Sequence, residues 1–227
     1  MSETQPDVRD VYQRGTFPFM GLELLVDPGA LIPRPETELL ATEAIALVKA
    51  CGAAPIVIDV CCGSGNLACA IAHHVPAAKV FASDLTDGCF ALSKKNAAHL
   101  GLTQRVTVFQ GDLFAPLSGA VEPGSVDVIV CNPPYISTGR LASDRATLLE
   151  NEPREAFDGG PYGLSIHQRV IKDALALLTP KGHLLFEFGL GQEKQMTALF
   201  TRARAYENVR FATNASGAPR VVVATKL

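Results

Sequence analysis

The chain has 227 residues, of which 48% are hydrophobic, and its 20 basic and 23 acidic residues give a formal net charge of −3. This length and hydrophobic content predict one large domain, or one domain with a small appendage, and exclude a disordered or low-complexity protein. The slight acidic surplus argues against nucleic acid as a partner, because proteins that neutralise many phosphates usually carry a basic surplus.

The polar start of the chain, MSETQPDVRD, is not followed by an apolar run. No later segment approaches about 18 uninterrupted apolar residues, the length at which a membrane-crossing helix becomes a candidate. We therefore expect neither a signal peptide nor a membrane span, and we expect a cytoplasmic protein with no membrane partner.

The first part of the chain differs in pattern from the rest. The segment TFPFMGLELLVDPGALIPRPETE combines short β-prone pieces with several glycines and prolines, which predicts a hairpin followed by an ordered loop. We expect residues 1–35 to form an extension and residues 36–227 to form the main domain. The main domain opens with a helix over ETELLATEAIALVKA, which Pro35 can start and Gly52 can end.

From Pro55 onward, predicted strands alternate with predicted helices. The strands are PIVIDV, KVFASD, RVTVFQGD, VDVIVCN and HLLFEFG, with two closing strands near NVRFAT and RVVVAT. The helices are NLACAIAHHV, DGCFALSKKNAAHLGL, SIHQRVIKDALALL and QEKQMTALFTRAR, and a long loop follows VDVIVCN. Continuous apolar strands between amphipathic helices are typical of a mostly parallel sheet covered on both faces, so the predicted fold class is α/β.

The cysteines do not have the spacing of a metal site. The six of them include no C-x-x-C pair, and without an export signal they are expected to be reduced thiols, mostly in the core. We expect no metal ion.

Acidic residues and glycines follow three of the predicted strands. Asp59 stands at the end of the first, with Gly63 and Gly65 in the turn after it, Asp84 ends the second and Asp112 ends the third. Ligands of open α/β sheets bind outside the carboxyl ends of the strands, so these residues are candidates for one nucleoside site. A carboxylate can accept hydrogen bonds from both ribose hydroxyls or from an adenine amino group. Without such a ligand, the glycines form only a turn and the aspartates only cap helices.

The spacing of these residues matches neither a dinucleotide fingerprint nor a phosphate loop. Carboxylates instead suit a cofactor with no phosphates and a positive sulfonium. The segments DVCCGSG, SD and GD resemble the first three motifs of class I S-adenosylmethionine-dependent methyltransferases. The resemblance implies S-adenosyl-L-methionine as the cofactor and a Rossmann-like seven-stranded sheet, mostly parallel, with helices on both faces and a reversed hairpin at one edge. The residues that it implies for cofactor binding are Asp59, Cys61, Gly63, Gly65, Asp84, Leu85, Asp112, Leu113 and Asn132.

One of these positions departs from the family pattern. Many class I enzymes carry glycine where this chain has Cys61. We expect a slightly more crowded turn there, with the thiol close to the methionine part of the cofactor.

The fourth strand ends on Asn132-Pro133-Pro134-Tyr135. This segment resembles the motif of class I enzymes that methylate nitrogen in planar groups, such as glutamine amides and the exocyclic amines of adenine and cytosine. The Asn132 side-chain oxygen and the Pro133 carbonyl can accept hydrogen bonds from the two N–H groups of such a nitrogen. Proline fixes φ and supplies no competing donor, and Tyr135 can stack on the flat group. Asn132, Pro133 and Tyr135 are therefore the predicted catalytic residues.

A narrower resemblance covers most of the chain. LIPRPETELL, NPPYI, NEPREAFDGGPYGL and LLFEFGLGQ closely resemble segments of the HemK-type protein-(glutamine N5) methyltransferases, which modify release factors or a ribosomal protein. The resemblance implies that Arg34, Pro35, Glu36 and Thr37 help to shape the substrate pocket together with Pro134. The alternative for this segment is that Arg34 and Glu36 only pair with each other and cap the helix.

The sequence also departs from that family, because enzymes of this type that act on release factors normally carry a helical N-terminal domain. The predicted function is S-adenosylmethionine-dependent N-methylation of a planar amide or amine nitrogen, on a protein glutamine or on a small molecule in a biosynthetic reaction. An adenine N-methyltransferase of nucleic acids and a cofactor-binding regulatory module are the remaining alternatives. Outside the motifs, His167 is the histidine to test first, and Glu187 is expected either to order a neighbouring loop or to contact substrate.

Overall fold

A seven-stranded sheet forms the centre of the computed structural model, which describes residues 8–143, 145–150 and 152–227. The strands in these ranges are β1 (Thr16–Phe19), β2 (Leu22–Leu25), β3 (Ile56–Val60), β4 (Lys79–Asp84), β5 (Val106–Gln110), β6 (Val126–Cys131), β7 (Leu178–Glu187), β8 (Tyr206–Thr213) and β9 (Pro219–Lys226). The sheet order is β5-β4-β3-β6-β7-β9-β8, and β1 and β2 form a separate antiparallel hairpin.

The helices lie between these strands and on both faces of the sheet. They are α1 (Val8–Arg14), α2 (Thr37–Ala50), α3 (Asn66–His74), α4 (Asp87–His99), α5 (Thr138–Ser143), α6 (Ser165–Asp173) and α7 (Glu193–Ala203). Short 3-10 turns cover Ala115–Leu117, Ala146–Glu150, Arg154–Ala156 and Ala174–Ala176. Of the helices formed by the described residues, none has both the length and the apolar character that crossing a bilayer requires.

The strand pairing confirms the predicted fold class. Strands β3 to β7 are parallel to one another, whereas β9 is antiparallel to both β7 and β8, which is the reversed hairpin. Strand β3 lies between β4 and β6, so the strand order reverses there and opens a crevice at the carboxyl ends of β3 and β6. Val60 pairs with Cys131 at that edge, and Cys61 and Asn132 therefore leave the sheet side by side.

The side chains of the central strands alternate between two hydrophobic clusters. Val57 and Val128 belong to the cluster that contains residues of α2, α3 and α4, while Ile58 and Ile129 belong to the cluster that contains residues of α6 and α7. Because both faces are covered, the central strands β3 and β6 are mostly apolar, with Asp59 and Asp127 as their charged residues.

The extension contains the predicted hairpin and one helix that the sequence pattern does not predict. In α1, only Val11 is buried, and it packs with Phe17 and Ile32. A helix of seven residues is too short to be stable alone, so it depends on this tertiary contact. The hairpin is joined to α4 by Asn96, whose Oδ1 accepts the Leu25 N–H at 2.8 Å and whose Nδ2 donates to the Leu25 carbonyl at 3.1 Å. The domain boundary at residue 35 stays a prediction.

Two other features differ from the expected ones, namely the start of β7 and the content of the loop after β6. Strand β7 starts at Leu178, several residues earlier than HLLFEFG suggests, because an irregular register opposite Val126 and a positive φ of 65° at Lys181 let the chain join the sheet early. The loop after β6 contains α5 and two 3-10 turns, which are too short to give a periodic signal in the sequence.

Candidate active site

The turn between β3 and α3 has a backbone that favours glycine. Gly63 and Gly65 have φ values of 55° and 78°, in the left-handed region that other residues avoid. A Cβ atom on Gly65 would lie 3.2 Å from three atoms of Ser93. Cys61 has a φ of 58°, so this position also favours glycine, and a thiol stands there instead.

Two of the predicted acidic residues have carboxylates that accept hydrogen bonds at the carboxyl edge of the sheet. Asp84 Oδ2 accepts the Gly63 N–H at 2.8 Å, and Oδ1 accepts the Thr86 N–H at 3.3 Å. The Asp84 carboxylate is therefore fixed against the glycine turn. Asp112 is half exposed and accepts a hydrogen bond from Arg169 Nη2 at 2.6 Å.

Asp59 takes a different position from the other two acids. It is fully buried, its Oδ2 accepts the Ala68 N–H at 3.0 Å, and its Oδ1 has no partner among the described residues. Burial, with a smaller contribution from the nearby Asp84 carboxylate, raises the pKa of Asp59 to about 8, while the hydrogen bond from Ala68 acts in the opposite direction. Asp59 therefore supports the turn from beneath.

Most of the predicted cofactor-binding residues line one cavity of about 390 Å³, the first cavity. The predicted residues in its lining are Arg34, Thr37, Cys61, Gly63, Asp84, Leu85, Asp112, Leu113, Asn132 and Pro134. Asp59 and Gly65 are not in the lining, and neither is Pro35, which is exposed.

The first cavity has a negative lining. Asp84, Asp112, Glu155 and Asp158 contribute carboxylates. The arginines of the lining are Arg34, which pairs with Glu152, and Arg154, which pairs with Asp158 at 2.8 Å. The alternative that Arg34 pairs with Glu36 is therefore wrong. Glu36 makes no side-chain capping bond to α2.

A second cavity of about 380 Å³ adjoins the first, and Leu31, Arg34, Asn132 and Ala156 line both. The other predicted residues in its lining are Glu36, Pro133 and Tyr135. Glu187 and Arg220 line it as well, so Glu187 belongs to the site, and Arg220 is a residue that the motifs do not single out. An arginine at the start of the apolar strand RVVVAT was the available signal.

A chain of side-chain hydrogen bonds runs from Asn132 into the second cavity. Asn132 Nδ2 donates to Thr37 Oγ1 at 3.1 Å, and Thr37 Oγ1 donates to Glu187 Oε2 at 2.8 Å. Glu187 Oε1 accepts from Tyr135 Oη at 3.2 Å and from Arg220 Nη2 at 3.1 Å. Burial raises the pKa values of Tyr135, to about 12, and of Glu187, while hydrogen bonds and the Arg220 charge act in the opposite direction on Glu187.

The loop DGGPYG supports the Asn-Pro-Pro-Tyr turn from behind. The Ile136 N–H donates to the Phe157 carbonyl at 3.0 Å, and the Gly159 N–H donates to the Ile136 carbonyl at 2.8 Å. A Cβ atom on Gly159 would lie 2.6 Å from the Pro134 carbonyl oxygen, and one on Gly163 would clash with the Tyr135 carbonyl oxygen. The four segments that resemble one family therefore meet around a single turn.

His167 lies outside both cavities. It is fully buried, and its Nε2 donates to the Glu187 carbonyl at 3.0 Å, because a carbonyl oxygen can only accept. Its Nδ1 has no partner within the described residues. Burial lowers the pKa of His167 to about 4, so the neutral ring helps to hold the end of β7. In the described ranges, no three histidine, cysteine or acidic side chains are grouped closely enough to hold a metal ion.

Comparisons with known proteins extend these observations. A family model described as the methyltransferase small domain matches residues 37–161. The chain is 37% identical to a release factor glutamine methyltransferase of Moorella thermoacetica, over 94% of this chain and 73% of the relative. It is 38% identical to a 4-amino-L-phenylalanine/4-methylamino-L-phenylalanine methyltransferase of Streptomyces pristinaespiralis, over 80% of this chain and 61% of the relative.

A similar solved structure is the release-factor-specific protein-(glutamine-N5) methyltransferase of Alicyclobacillus acidocaldarius. Its TM-score is 0.53 at 26% sequence identity, covering 88% of this chain and 98% of that one. The chain belongs to the methyltransferase small domain family, and within it to the HemK-type S-adenosyl-L-methionine-dependent methyltransferases.

Proposed function

We propose that this protein methylates a planar amide nitrogen and that its acceptor is the side chain of a protein glutamine. The observation that carries the proposal is the position of Asn132, which lines both cavities and has its amide nitrogen tied to Thr37. Its amide oxygen is thereby left for an acceptor, next to the carbonyl of Pro133.

The first cavity fits the cofactor by the chemistry of its donors and acceptors. Asp84, held by two backbone N–H groups, retains lone pairs for ribose hydroxyls, and Asp112 can accept from the adenine amino group. Gly63 and Cys61 leave backbone close to the methionine part, while Leu85 and Leu113 supply apolar contact. Because its arginines are already paired, the cavity favours a positively charged cofactor without phosphates.

The second cavity fits an acceptor that approaches the end of β6. S-adenosyl-L-methionine supplies an already activated methyl group, so the protein needs to position the acceptor more than to activate it. The lone pair of an amide nitrogen is delocalised into its carbonyl. If Asn132 Oδ1 and the Pro133 carbonyl accept the two N–H groups, they hold this nitrogen in one orientation as it pyramidalises. Tyr135 packs beside it.

A small amino acid is a second candidate acceptor, because two of the four arginines that line the second cavity form no ion pair with the described residues. Arg140 and Arg145 are both exposed there, and neither forms an ion pair with any of the described residues. Two such guanidinium groups suit the carboxylate of an amino-acid acceptor. The relative named for 4-amino-L-phenylalanine supports the same class.

Labelled-methyl transfer from S-adenosyl-L-methionine tests both candidates. The acceptors offered are a bacterial release factor, ribosomal proteins and 4-amino-L-phenylalanine, with mass spectrometry on whatever becomes labelled. Label on a glutamine side chain supports the first candidate, and label on the amino acid alone rejects it in favour of the second. Asn132→Ala should abolish transfer in a protein that still binds S-adenosyl-L-methionine, whereas a cofactor-binding module would have no transfer to lose.

A further inference from the structure

The hydroxyl of Thr37 makes two hydrogen bonds inside the site, and it has only one proton to give. Its Oγ1 lies 2.8 Å from Glu187 Oε2 and 3.1 Å from the Asn132 amide. A carboxylate accepts and does not donate, so the hydroxyl proton must point to Glu187. Toward Asn132, Oγ1 can then only accept.

The direction of this chain depends on Glu187 being ionised. Its two oxygens receive three donors, namely the Thr37 hydroxyl, the Tyr135 hydroxyl and Arg220 Nη2. Arg220 is itself 9% exposed, so its charge faces the carboxylate with little screening by water. A protonated Glu187 could donate to Thr37 and reverse the chain, but three donors around two oxygens favour the carboxylate.

From this arrangement, we propose that Thr37 and Glu187 are positioning residues that set which end of the Asn132 amide faces the acceptor. The amide nitrogen must face Thr37, because the opposite orientation would bring the amide oxygen against a hydroxyl with no proton left to give. Asn132 Oδ1 is then fixed as an acceptor at the junction of the two cavities. Arg220 acts at the far end by keeping Glu187 an acceptor.

The catalytic consequence rests on the proposed function, whereas the orientation of the amide does not. A methyl-accepting nitrogen that carries two N–H groups needs two hydrogen-bond acceptors from the protein. A flipped Asn132 would present its NH₂ group instead and repel the acceptor. The Thr37–Glu187 pair therefore selects for a methyl-accepting nitrogen that carries N–H groups and can donate hydrogen bonds.

Two substitutions separate the hydrogen bonds from the packing. Thr37→Val keeps the shape of the side chain and removes the hydroxyl, so the amide is free to flip. Glu187→Gln keeps the shape of the other partner but supplies an NH₂ group, which can donate to Thr37 and reverse the chain. Thr37→Ser keeps the hydroxyl and should rescue the site. Thr42→Val is the matched control, because the Thr42 hydroxyl lies on the same helix and, among the described residues, donates only to the Glu38 carbonyl.

The first readout needs neither cofactor nor acceptor. The chain has six asparagines, so selective ¹⁵N-asparagine labelling gives few side-chain amide signals, and Asn132→Ala identifies the one of interest. We expect the Asn132 NH₂ protons to exchange slowly in the wild type, Thr37→Ser and Thr42→Val. We expect exchange faster by about tenfold or more in Thr37→Val and Glu187→Gln. Unchanged exchange in both of these variants would overturn the proposal.

The second readout is kinetic, with the acceptor that the wild type labels. We expect kcat to fall by about a hundredfold in Thr37→Val and in Glu187→Gln, with the affinity for S-adenosyl-L-methionine within about threefold of the wild type. Because both residues act through one chain, the double variant should lose little more than either single variant. Additive losses, or a Thr37→Ser variant as slow as Thr37→Val, would mean that packing alone is responsible. If the wild type labels none of the offered acceptors, the proposed function fails while the exchange measurement still decides the orientation.

Discussion

The two cavities of the active site are built in different ways. The side that we assign to the cofactor depends on a turn and on bonds over shorter separations, such as Asp59 with Ala68, 9 positions apart, and Asp84 with Gly63, 21 positions apart. The acceptor side depends on side chains from distant segments, such as Thr37 with Glu187, which are 150 positions apart. The first can be recognised in a short motif, whereas the second exists only after the whole chain has folded.

The difference extends to the electrostatics. On the cofactor side, the carboxylates of Asp84 and Asp112 are partly open to solvent, so water limits the cost of their charges. On the acceptor side, Glu187 and Arg220 are both buried. Removing one member of a buried ion pair strongly lowers stability, because the other member is left charged in the protein interior without a partner. The acceptor side should therefore be the more fragile of the two.

The largest effect is expected from Arg220→Met, which removes one charge of the buried pair. We expect the free energy of unfolding to fall by about 3–5 kcal/mol, measured by urea denaturation. Arg210→Met is the control, because Arg210 pairs with Glu43 at the surface and should cost no more than about 1 kcal/mol. Equal losses in the two variants would remove the contrast between the two sides of the site.

The next effect is expected from Gly163→Ala, which tests the support behind Tyr135. Gly163 has a φ of 70°, and its new Cβ would also meet the Tyr135 oxygen. Gly217→Ala isolates the backbone term, because Gly217 has a φ of 79° and nothing within 4 Å. We expect Gly217→Ala to cost about 1 kcal/mol of unfolding free energy. Gly163→Ala should lower the free energy of unfolding by clearly more than that and should slow methyl transfer without weakening cofactor binding. Equal losses of unfolding free energy in the two variants would show that the contact with Tyr135 has no effect.

A pH dependence is expected beneath the cofactor turn. The pKa of Asp59 is about 8 in the folded protein and about 3.9 in an unfolded chain. Between these values the folded state holds the extra proton, so this residue lowers stability as pH rises, by roughly 1.4 kcal/mol per pH unit. Asp59→Asn should remove that slope and still accept the Ala68 N–H. Urea titrations at pH 5, 6 and 7 compare the slopes, with Asp87→Asn, which replaces an exposed aspartate, as the control.

His167 acts in the opposite direction over part of that range. Its pKa of about 4 in the folded state lies below the unfolded value of about 6.5, so its contribution to stability is lost as pH falls from 6.5 toward 4. The slope of the wild type below pH 6.5 therefore contains two opposed contributions. The difference between wild type and Asp59→Asn isolates the aspartate, and identical slopes in the two proteins would mean that Asp59 is already ionised.

The smallest effect is expected from Cys61→Gly. A cysteine at a φ of 58° is strained, whereas glycine adopts that region freely but loses more entropy on folding. The two contributions nearly cancel, and we expect a change of about 1 kcal/mol or less, neutral or stabilising. Cys62→Gly should destabilise instead, because Cys62 is buried in the core and its φ is not positive. A large loss in Cys61→Gly would show that its side chain has a packing role that the turn alone does not require.

The sequence allowed the fold and the cofactor side of the site to be predicted because their signals are local. Buried strands that alternate with helices predicted the sheet. Gly63, Asp84 and Asp112 could be predicted as site residues because they lie at or just after the ends of predicted strands. The position of Asp59 beneath the turn was harder to see, because burial is a property of the packed structure. The motif also could not distinguish a carboxylate in the cavity lining from one below it.

The acceptor side could be predicted only in part. Asn132 and Tyr135 stand in a recognisable motif, and resemblance pointed to Thr37. Arg220 was missed because no motif links it to Glu187, its partner across β7 and β9. The partner of Arg34 proved to be Glu152 because the loop after β6 folds back over residues 32 to 34. Such pairings depend on tertiary structure and leave no periodic pattern.

The shared hydrogen bonds of Thr37, Glu187 and Arg220 also constrain how this enzyme can diverge. A homologue that loses Arg220 keeps the buried Glu187 carboxylate without its ion-pair partner. One that loses Glu187 keeps the buried Arg220 charge without its partner, so neither substitution is tolerated as a first step. These positions should be exchanged together or not at all when homologous sequences are aligned. Specificity for new acceptors is then expected to evolve through Arg140, Arg145 and their neighbours, whose replacement disturbs no interior charge.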